Sequence, residues 1–220
     1  MNWNELTAVF GGTFDPPHLG HQEAIAGLFK NPGVSRVLVI PSFIPPQKPQ
    51  AVASDHRVAM AKLCFAPLTE ALIDTREIER GKRTGKPSFT FETLQELKND
   101  YPKLAFVLGS DQLENLHTWQ RFPEILGLCH WIVLARKPDG ERQAHRTLTE
   151  WEASGLVKRT NQLWKTASGS AIGVFETPAR NVSSRNIREN FALGHPENDI
   201  SPEVKAYLME HRIYGTGSAT

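Results

Sequence analysis

Short apolar runs alternate along the chain with longer segments in which apolar residues recur every three or four positions. The runs Leu6–Phe10, Arg36–Ile40, Ala71–Thr75, Ala105–Leu108, Trp131–Ala135 and Ala171–Glu176 have the length of buried strands. Between them the helical period predicts His18–Lys30, Asp55–Ala66, Phe89–Asn99, Gln112–Leu126 and Thr147–Ala153. Two more helices, Ser184–Ala192 and Pro202–His211, close the pattern. Ser54-Asp55 and Gly109-Ser110-Asp111 supply cap chemistry before two of the helices. Strand–helix alternation of this kind predicts an α/β fold, a doubly wound parallel sheet with helices on both faces. Ligands in such sheets collect at the carboxyl ends of the strands. Two stretches rich in charge and glycine, Glu79–Lys86 and Arg136–Arg146, read as solvated loops or as mobile loops facing a substrate.

Composition narrows the classes. The chain has 220 residues, and its 25 Lys and Arg balance 24 Asp and Glu. That near-neutrality excludes a general nucleic-acid binder, which carries a strongly basic footprint, and an acidic disordered chain. No internal repeat or linker divides the sequence, so a single domain over 1–214 is expected, with 215–220 as a flexible tail. Cys64 and Cys129 stand far apart in apolar settings and read as core thiols rather than metal ligands. No basic n-region leads into a long apolar segment at the N-terminus, and no apolar run is long enough to span a bilayer. A cytoplasmic protein is expected, which makes the sequon Asn181-Val182-Ser183 idle.

The chemistry concentrates in Phe10–His21, FGGTFDPPHLGH, which leaves the first strand and enters the first helix. Gly11 and Gly12 let a ligand approach the backbone N–H groups. His18 and His21 share one face of the first helical turn, where free N–H groups and the positive dipole end favour phosphate. Two imidazoles there can donate hydrogen bonds as charge develops on phosphate oxygens. Gly81–Ser88, GKRTGKPS, fails as a Walker A loop because three residues, not four, separate its glycines and Pro87 follows the lysine. The dinucleotide fingerprint GxGxxG is absent after the first strand.

GGTFDPPHLGH resembles the first signature of the HxGH nucleotidyltransferase superfamily. Val182–Arg188, VSSRNIR, is similar to its second signature, ISSTxIR. Intermediate motifs resemble the bacterial nicotinate-mononucleotide adenylyltransferase family: Pro87-Ser88-Phe89-Thr90 its PSYT, Gly109-Ser110-Asp111 with Leu113, Leu116 and Trp119 its GxDxLxxLxxW block, and Leu134–Pro138 its segment after the fifth strand. Pro202–Tyr214 is similar to its closing helix. The sequence departs from the pattern in three places: Ser42-Phe43 replaces asparagine, Gln47 replaces histidine in the PPHK stretch, and Phe89 replaces tyrosine.

The resemblance implies a Rossmann-like fold and transfer of the adenylyl group of ATP to nicotinate mononucleotide, giving nicotinate adenine dinucleotide and pyrophosphate. It implies catalytic roles for His18, His21, Arg188 and Lys48 at the ATP phosphates. Gly11, Gly12, Thr13, Phe14, Ser183 and Ser184 would bind ATP, and Thr90, Asp111, Trp119 and Arg136 the mononucleotide. For Trp119 a packing role, and for Asp111 an N-cap, are equal alternatives. Mg²⁺ is expected to arrive with ATP on phosphate oxygens and water, without a dedicated protein metal site. No nucleic-acid or membrane partner is expected, and self-association is left open. Three readings compete: the same fold acting on the amide mononucleotide, the same fold acting on another phosphate-monoester acceptor, and a catalytically idle nucleotide sensor.

Overall fold

A computed structural model of the chain describes residues 3–44, 51–136, 138–177, 179–180, 182–195 and 198–215. Its strands are β1 (Thr7–Gly12), β2 (Arg36–Pro41), β3 (Ala71–Ile73), β4 (Leu104–Gly109), β5 (His130–Arg136), β6 (Val157–Thr160), β7 (Leu163–Thr166) and β8 (Ala171–Thr177). Its helices are α1 (Leu19–Lys30), α2 (Ser54–Phe65), α3 (Arg76–Thr84), α4 (Thr90–Asp100), α5 (Ser110–Glu114), α6 (Gly140–Ala153), α7 (Ser184–Ala192) and α8 (Pro202–Glu210). The strands form one eight-stranded sheet in the order β3-β2-β1-β4-β5-β8-β7-β6. Pairings β1–β4, β4–β5 and β5–β8 are parallel, whereas β6–β7 and β7–β8 are antiparallel. This is the expected α/β, Rossmann-like class. The chain order reverses at β1, and ligands in such sheets gather at the carboxyl end of the strand where the order reverses. Gly11 and Gly12 are that end of β1.

The chain divides into two compact units. One comprises 1–10, 27–38 and 89–178. Its centre is β5, in which five consecutive residues, Trp131–Ala135, are buried, the pattern of a strand covered on both faces. The Trp131 indole N–H, fully withdrawn from solvent, donates to the Leu126 carbonyl at 3.2 Å, so its polar atom is satisfied. Burial pushes the Cys129 thiol up to about 12, which keeps it protonated and inert.

The other unit comprises 11–26, 39–88 and 179–220. Here α2 buries Met60, Ala61, Cys64 and Phe65, and α8 buries Val204 and Leu208. Burial holds the Cys64 thiol up at about 12 as well. Both cysteines are free and buried, as the apolar settings predict.

Three expectations are corrected, and one element is new. Gln112–Leu126 is not one helix: α5 stops at Glu114, and 3-10 turns at Leu116–Thr118 and Glu124–Gly127 follow. Pro123 lacks the N–H that a helix would need, and Arg121 turns at φ +62°. Glu79–Lys86 is mostly helix, since α3 runs to Thr84 and ends on Gly85 in the left-handed conformation. From Gly140 onward the Arg136–Arg146 stretch is helix too, because Ala144, Thr147 and Leu148 bury one face of α6. The β6–β7 hairpin, turning at Asn161 with φ +56°, was not foreseen. Its Lys and Arg residues hide strand period in an antiparallel pair at the sheet's end.

Candidate active site

The second unit assembles most of the residues expected at the ATP phosphates. Phe14 follows β1 with φ +52° and is 2% exposed. A Cβ on Gly12 would come within 2.7 Å of the Phe14 ring, so glycine there lets the ring fold back over the strand. The ring then packs edge-on against Phe65 and His21, with centroids 5.6 and 5.3 Å away. A phenylalanine held in this backbone region is strained by about 1–3 kcal/mol, and the burial of its ring offsets that cost.

His18 and His21 lie stacked, with ring centroids 3.6 Å apart and planes 22° apart. The His18 N–H donates to His21 Nδ1 at 3.2 Å, and the His21 N–H donates to His18 Nδ1 at 3.3 Å. Each Nδ1 therefore carries a lone pair, which assigns the proton to Nε2 on both rings. The pair fixes its own tautomers and orients two Nε2–H donors. Gly20 makes this possible, because a Cβ there would lie 2.9 Å from the Arg180 carbonyl oxygen and 3.1 Å from His18 Nδ1. Arg180 in turn is clasped by Glu23 at 2.6 Å and by Asp199 at 3.2 Å. The Arg180 hydrogen bond lowers the Glu23 carboxyl below its ordinary value.

The second signature is tied to the first by side chains. The Ser184 hydroxyl donates to the Pro16 carbonyl at 2.9 Å. Arg188 Nη1 donates to the Asp15 carbonyl at 2.7 Å. Ser183 is the N-cap of α7 and accepts the Arg185 N–H at 3.2 Å. Its own O–H is still able to donate, whereas the Ser184 proton is committed to Pro16. Thr13 supplies its carbonyl to Arg57 Nη1 at 2.8 Å. Gly11 is exposed at the end of β1. Lys48 lies outside the described residues.

Three residues that hold this arrangement were not singled out from sequence: Arg57, Asp15 and Tyr214. Arg57 is 1% exposed and donates to three main-chain carbonyls: Thr13, Phe43 at 2.6 Å and Val52 at 2.7 Å. Burial pushes its guanidinium down from the ordinary value, and the negative charges of Asp15 and Glu77 push it back up. Arg57 had a sequence signal: it shares the stripe Arg57-Met60-Ala61-Cys64, a cation on a face that is otherwise apolar. Asp15, 6% exposed, accepts the Tyr214 hydroxyl at 2.7 Å. Two hundred residues of separation leave that pair without a local signal. The departure at Phe43 also has a physical setting. A Cβ on Gly81 of α3 would overlap the Phe43 ring, and the Phe43 N–H donates to Ser88 Oγ at 3.1 Å.

In the other unit the four remaining candidates stand at the ends of elements. Thr90 opens α4 and is half-buried. Asp111 is the second residue of α5 and exposed; the N-cap position belongs to Gly109. Trp119 follows the 3-10 turn at Leu116–Thr118, half-buried, with its ring edge-to-face on Phe106 at 5.8 Å. Arg136 ends β5 and is exposed. Glu114 braces α5 to α6, accepting Arg146 and Gln143 at 2.7 Å each. Among the described residues no group of three or more His, Cys, Asp or Glu is placed to hold a metal ion, and no helix is long and apolar enough to cross a membrane.

The comparisons agree with this geometry. Residues 9–190 match the family model described as Cytidylyltransferase-like. A protein of Pectobacterium atrosepticum named "Probable nicotinate-nucleotide adenylyltransferase" is 36% identical over 217 residues, spanning 95% of this chain and 98% of its own length. One of Pseudoalteromonas atlantica with the same name is 34% identical, with 97% and 96% covered. The fold is also that of a Plasmodium falciparum nicotinic acid mononucleotide adenylyltransferase solved in complex with NaAD, at a TM-score of 0.73 and 16% identity over 96% of this chain and 98% of that one. The chain belongs to the cytidylyltransferase-like nucleotidyltransferases and, among them, to the nicotinate-nucleotide adenylyltransferase family.

Proposed function

We propose that the chain transfers the adenylyl group of ATP to nicotinate mononucleotide, releasing pyrophosphate and forming nicotinate adenine dinucleotide, a step of NAD synthesis. The observation that carries this reading is the stacked pair His18 and His21, each with Nδ1 occupied by the other's backbone N–H. Two Nε2–H donors fixed at the start of a helix suit a phosphate group, and need no rearrangement when charge builds on it.

The reaction asks little covalent chemistry of the protein. A phosphate-monoester oxygen of the mononucleotide, anionic near neutral pH, attacks the α-phosphorus of ATP. The bond from that phosphorus to the bridging oxygen breaks, and pyrophosphate leaves with its electron pair. No enzyme nucleophile is consumed and no general base is required, so positioning and charge stabilisation carry the rate. In this reading His18, His21 and Arg188 hold the triphosphate, with Lys48 on the leaving pyrophosphate. Gly11, Gly12, Thr13 and Phe14 line the reacting phosphates with backbone. Ser183 donates its hydroxyl to the triphosphate while capping α7, and Ser184 tethers the second signature to the loop. A divalent ion, Mg²⁺ in this reading, belongs to the ATP substrate, held by phosphate oxygens and water, and neutralises part of its charge. The donor set supports that assignment: the buried carboxylate of Asp15 already accepts from Tyr214 and faces Arg188.

On the acceptor side, Thr90 at the start of α4 offers helix N–H groups to the nicotinate carboxylate. Trp119 presents an aromatic ring to the pyridine, Asp111 a carboxylate to the ribose, and Arg136 a cation to the phosphate. On this reading the enzyme works in the cytoplasm, among soluble nucleotides. The test is pyrophosphate release by purified protein supplied with ATP, Mg²⁺ and nicotinate mononucleotide. Release that requires all three is expected; no release with any pyridine mononucleotide would overturn the reading.

A further inference from the structure

Asp15 stands inside the phosphate loop, and adenylyl transfer as written above needs nothing from it. Its surroundings are nonetheless specific. Its buried carboxylate accepts the Tyr214 hydroxyl on Oδ1 at 2.7 Å. Arg188 Nη1 donates to the Asp15 main-chain carbonyl at 2.7 Å but stays 3.7 Å from Oδ2. That second distance is too long for a hydrogen bond. An arginine beside a buried carboxylate ordinarily closes into a short forked pair. Here it does not.

The competitor for that carboxylate is Tyr214. It reaches Asp15 from the segment after α8, with φ +64°, a conformation unfavourable for a bulky residue. Burial, with the Asp15 charge adding to it, pushes the phenol well above its ordinary value, so the hydroxyl keeps its proton and remains a donor. Arg57 is held where it is, because each of its three nitrogens is already anchored on a main-chain carbonyl and a move onto Asp15 would break those bonds.

We infer that Tyr214 is a positioning residue for Arg188: by occupying Asp15 Oδ1, its hydroxyl keeps the carboxylate from capturing the guanidinium. Arg188 then stays anchored by one arm on the Asp15 carbonyl. A guanidinium has five N–H groups, and this anchor uses one of them. The Arg188 side chain is 31% exposed, which suits a cation presented to a dissolved anion. Removing the hydroxyl strips the buried carboxylate of its donor, and Arg188 is the cation that swings in to replace it. It withdraws from the triphosphate as it does so. The inference rests on the proposed reaction, in which Arg188 binds ATP.

The test uses the full chain carrying Tyr214→Phe, which keeps the ring and removes the hydroxyl. kcat/KM for ATP is expected to fall about 10- to 100-fold, with KM for the mononucleotide within about twofold of wild type. In an Arg188→Lys background the same substitution is expected to change kcat/KM for ATP by less than about threefold, because the group it acts through is gone. In an Asp15→Asn background, whose amide captures no cation, Tyr214→Phe is expected to have equally little effect. A wild-type rate for Tyr214→Phe, or an undiminished loss in both backgrounds, would overturn the inference and leave Tyr214 a packing residue. Affinity for a non-hydrolysable ATP analogue separates this from the reaction itself. It is expected to weaken about tenfold in Tyr214→Phe whether or not the wild-type chain turns over nicotinate mononucleotide.

Discussion

The residues proposed to hold ATP and those proposed to hold the mononucleotide are built differently. On the ATP side, four chain segments interlock through side-chain hydrogen bonds around the buried Arg57 and Asp15: Arg57 on three carbonyls, Ser184 on Pro16, Arg188 on the Asp15 carbonyl, and Tyr214 on the Asp15 carboxylate. Even the histidines hold one another. On the mononucleotide side, Thr90, Asp111, Trp119 and Arg136 each stand at or near the end of an element, exposed or half-buried. Preorganised donors lower a barrier because nothing has to move when charge develops, and that needs a braced scaffold. Recognition of the acceptor tolerates looser placement, which matches side chains at helix starts and strand ends. On the proposed reading, chemistry belongs to the braced region and acceptor choice to the other.

Substitutions can break this contrast. The largest effect is expected from Arg57→Met, which leaves three main-chain carbonyls without their buried donor. Chemical denaturation is expected to show a loss of about 3–5 kcal/mol, and a loss under 1 kcal/mol would mean that the brace is dispensable. Next comes His21→Ala, for which kcat is expected to drop about 100- to 1,000-fold with the thermal midpoint nearly unchanged. Near-normal turnover would remove the histidine pair from the phosphate site. For Trp119→Ala the expected change is about a tenfold rise in KM for the mononucleotide with KM for ATP constant. A change confined to ATP would move Trp119 out of the acceptor side. The smallest effect concerns Glu23, whose carboxyl the Arg180 hydrogen bond lowers below its ordinary value of 4.5. A depressed carboxyl contributes stability above its unfolded-state value and loses it as the pH falls through the folded one. Glu23→Gln is therefore expected to cost a few tenths of a kcal/mol at pH 7, because the pair is exposed, and nothing at acid pH below both values. Equal costs at both pH values would show that the clasp on Arg180 is not electrostatic.

The same contrast explains what the sequence made legible. The six apolar runs became six strands of the sheet, most plainly β2, β4 and β5, because a strand buried on both faces has to be nearly all apolar. The two signatures were legible because chemistry at a helix start demands particular residues at particular spacings. The β6–β7 hairpin was hidden by Lys158, Arg159 and Lys165, which are exposed, so no alternation stands out. Helix α3 was hidden by charge, which falls on six of the nine positions of Arg76–Thr84. Asp15 and Tyr214 meet across the length of the chain, and neither the phosphate loop nor the last helix foretells the other. Arg57 could have been found, since a cation in the apolar stripe of α2 must either have buried partners or expose that stripe.

On the proposed function, the chain transfers an adenylyl group to a pyridine mononucleotide and prefers the acid form. The most direct test is the rate of pyrophosphate and dinucleotide formation with ATP and Mg²⁺, measured side by side for nicotinate mononucleotide and its amide. Stoichiometric pyrophosphate and dinucleotide are expected from the acid, with kcat/KM above that for the amide. Equal or faster turnover of the amide would contradict the choice of acceptor, and no product from either would contradict the reaction.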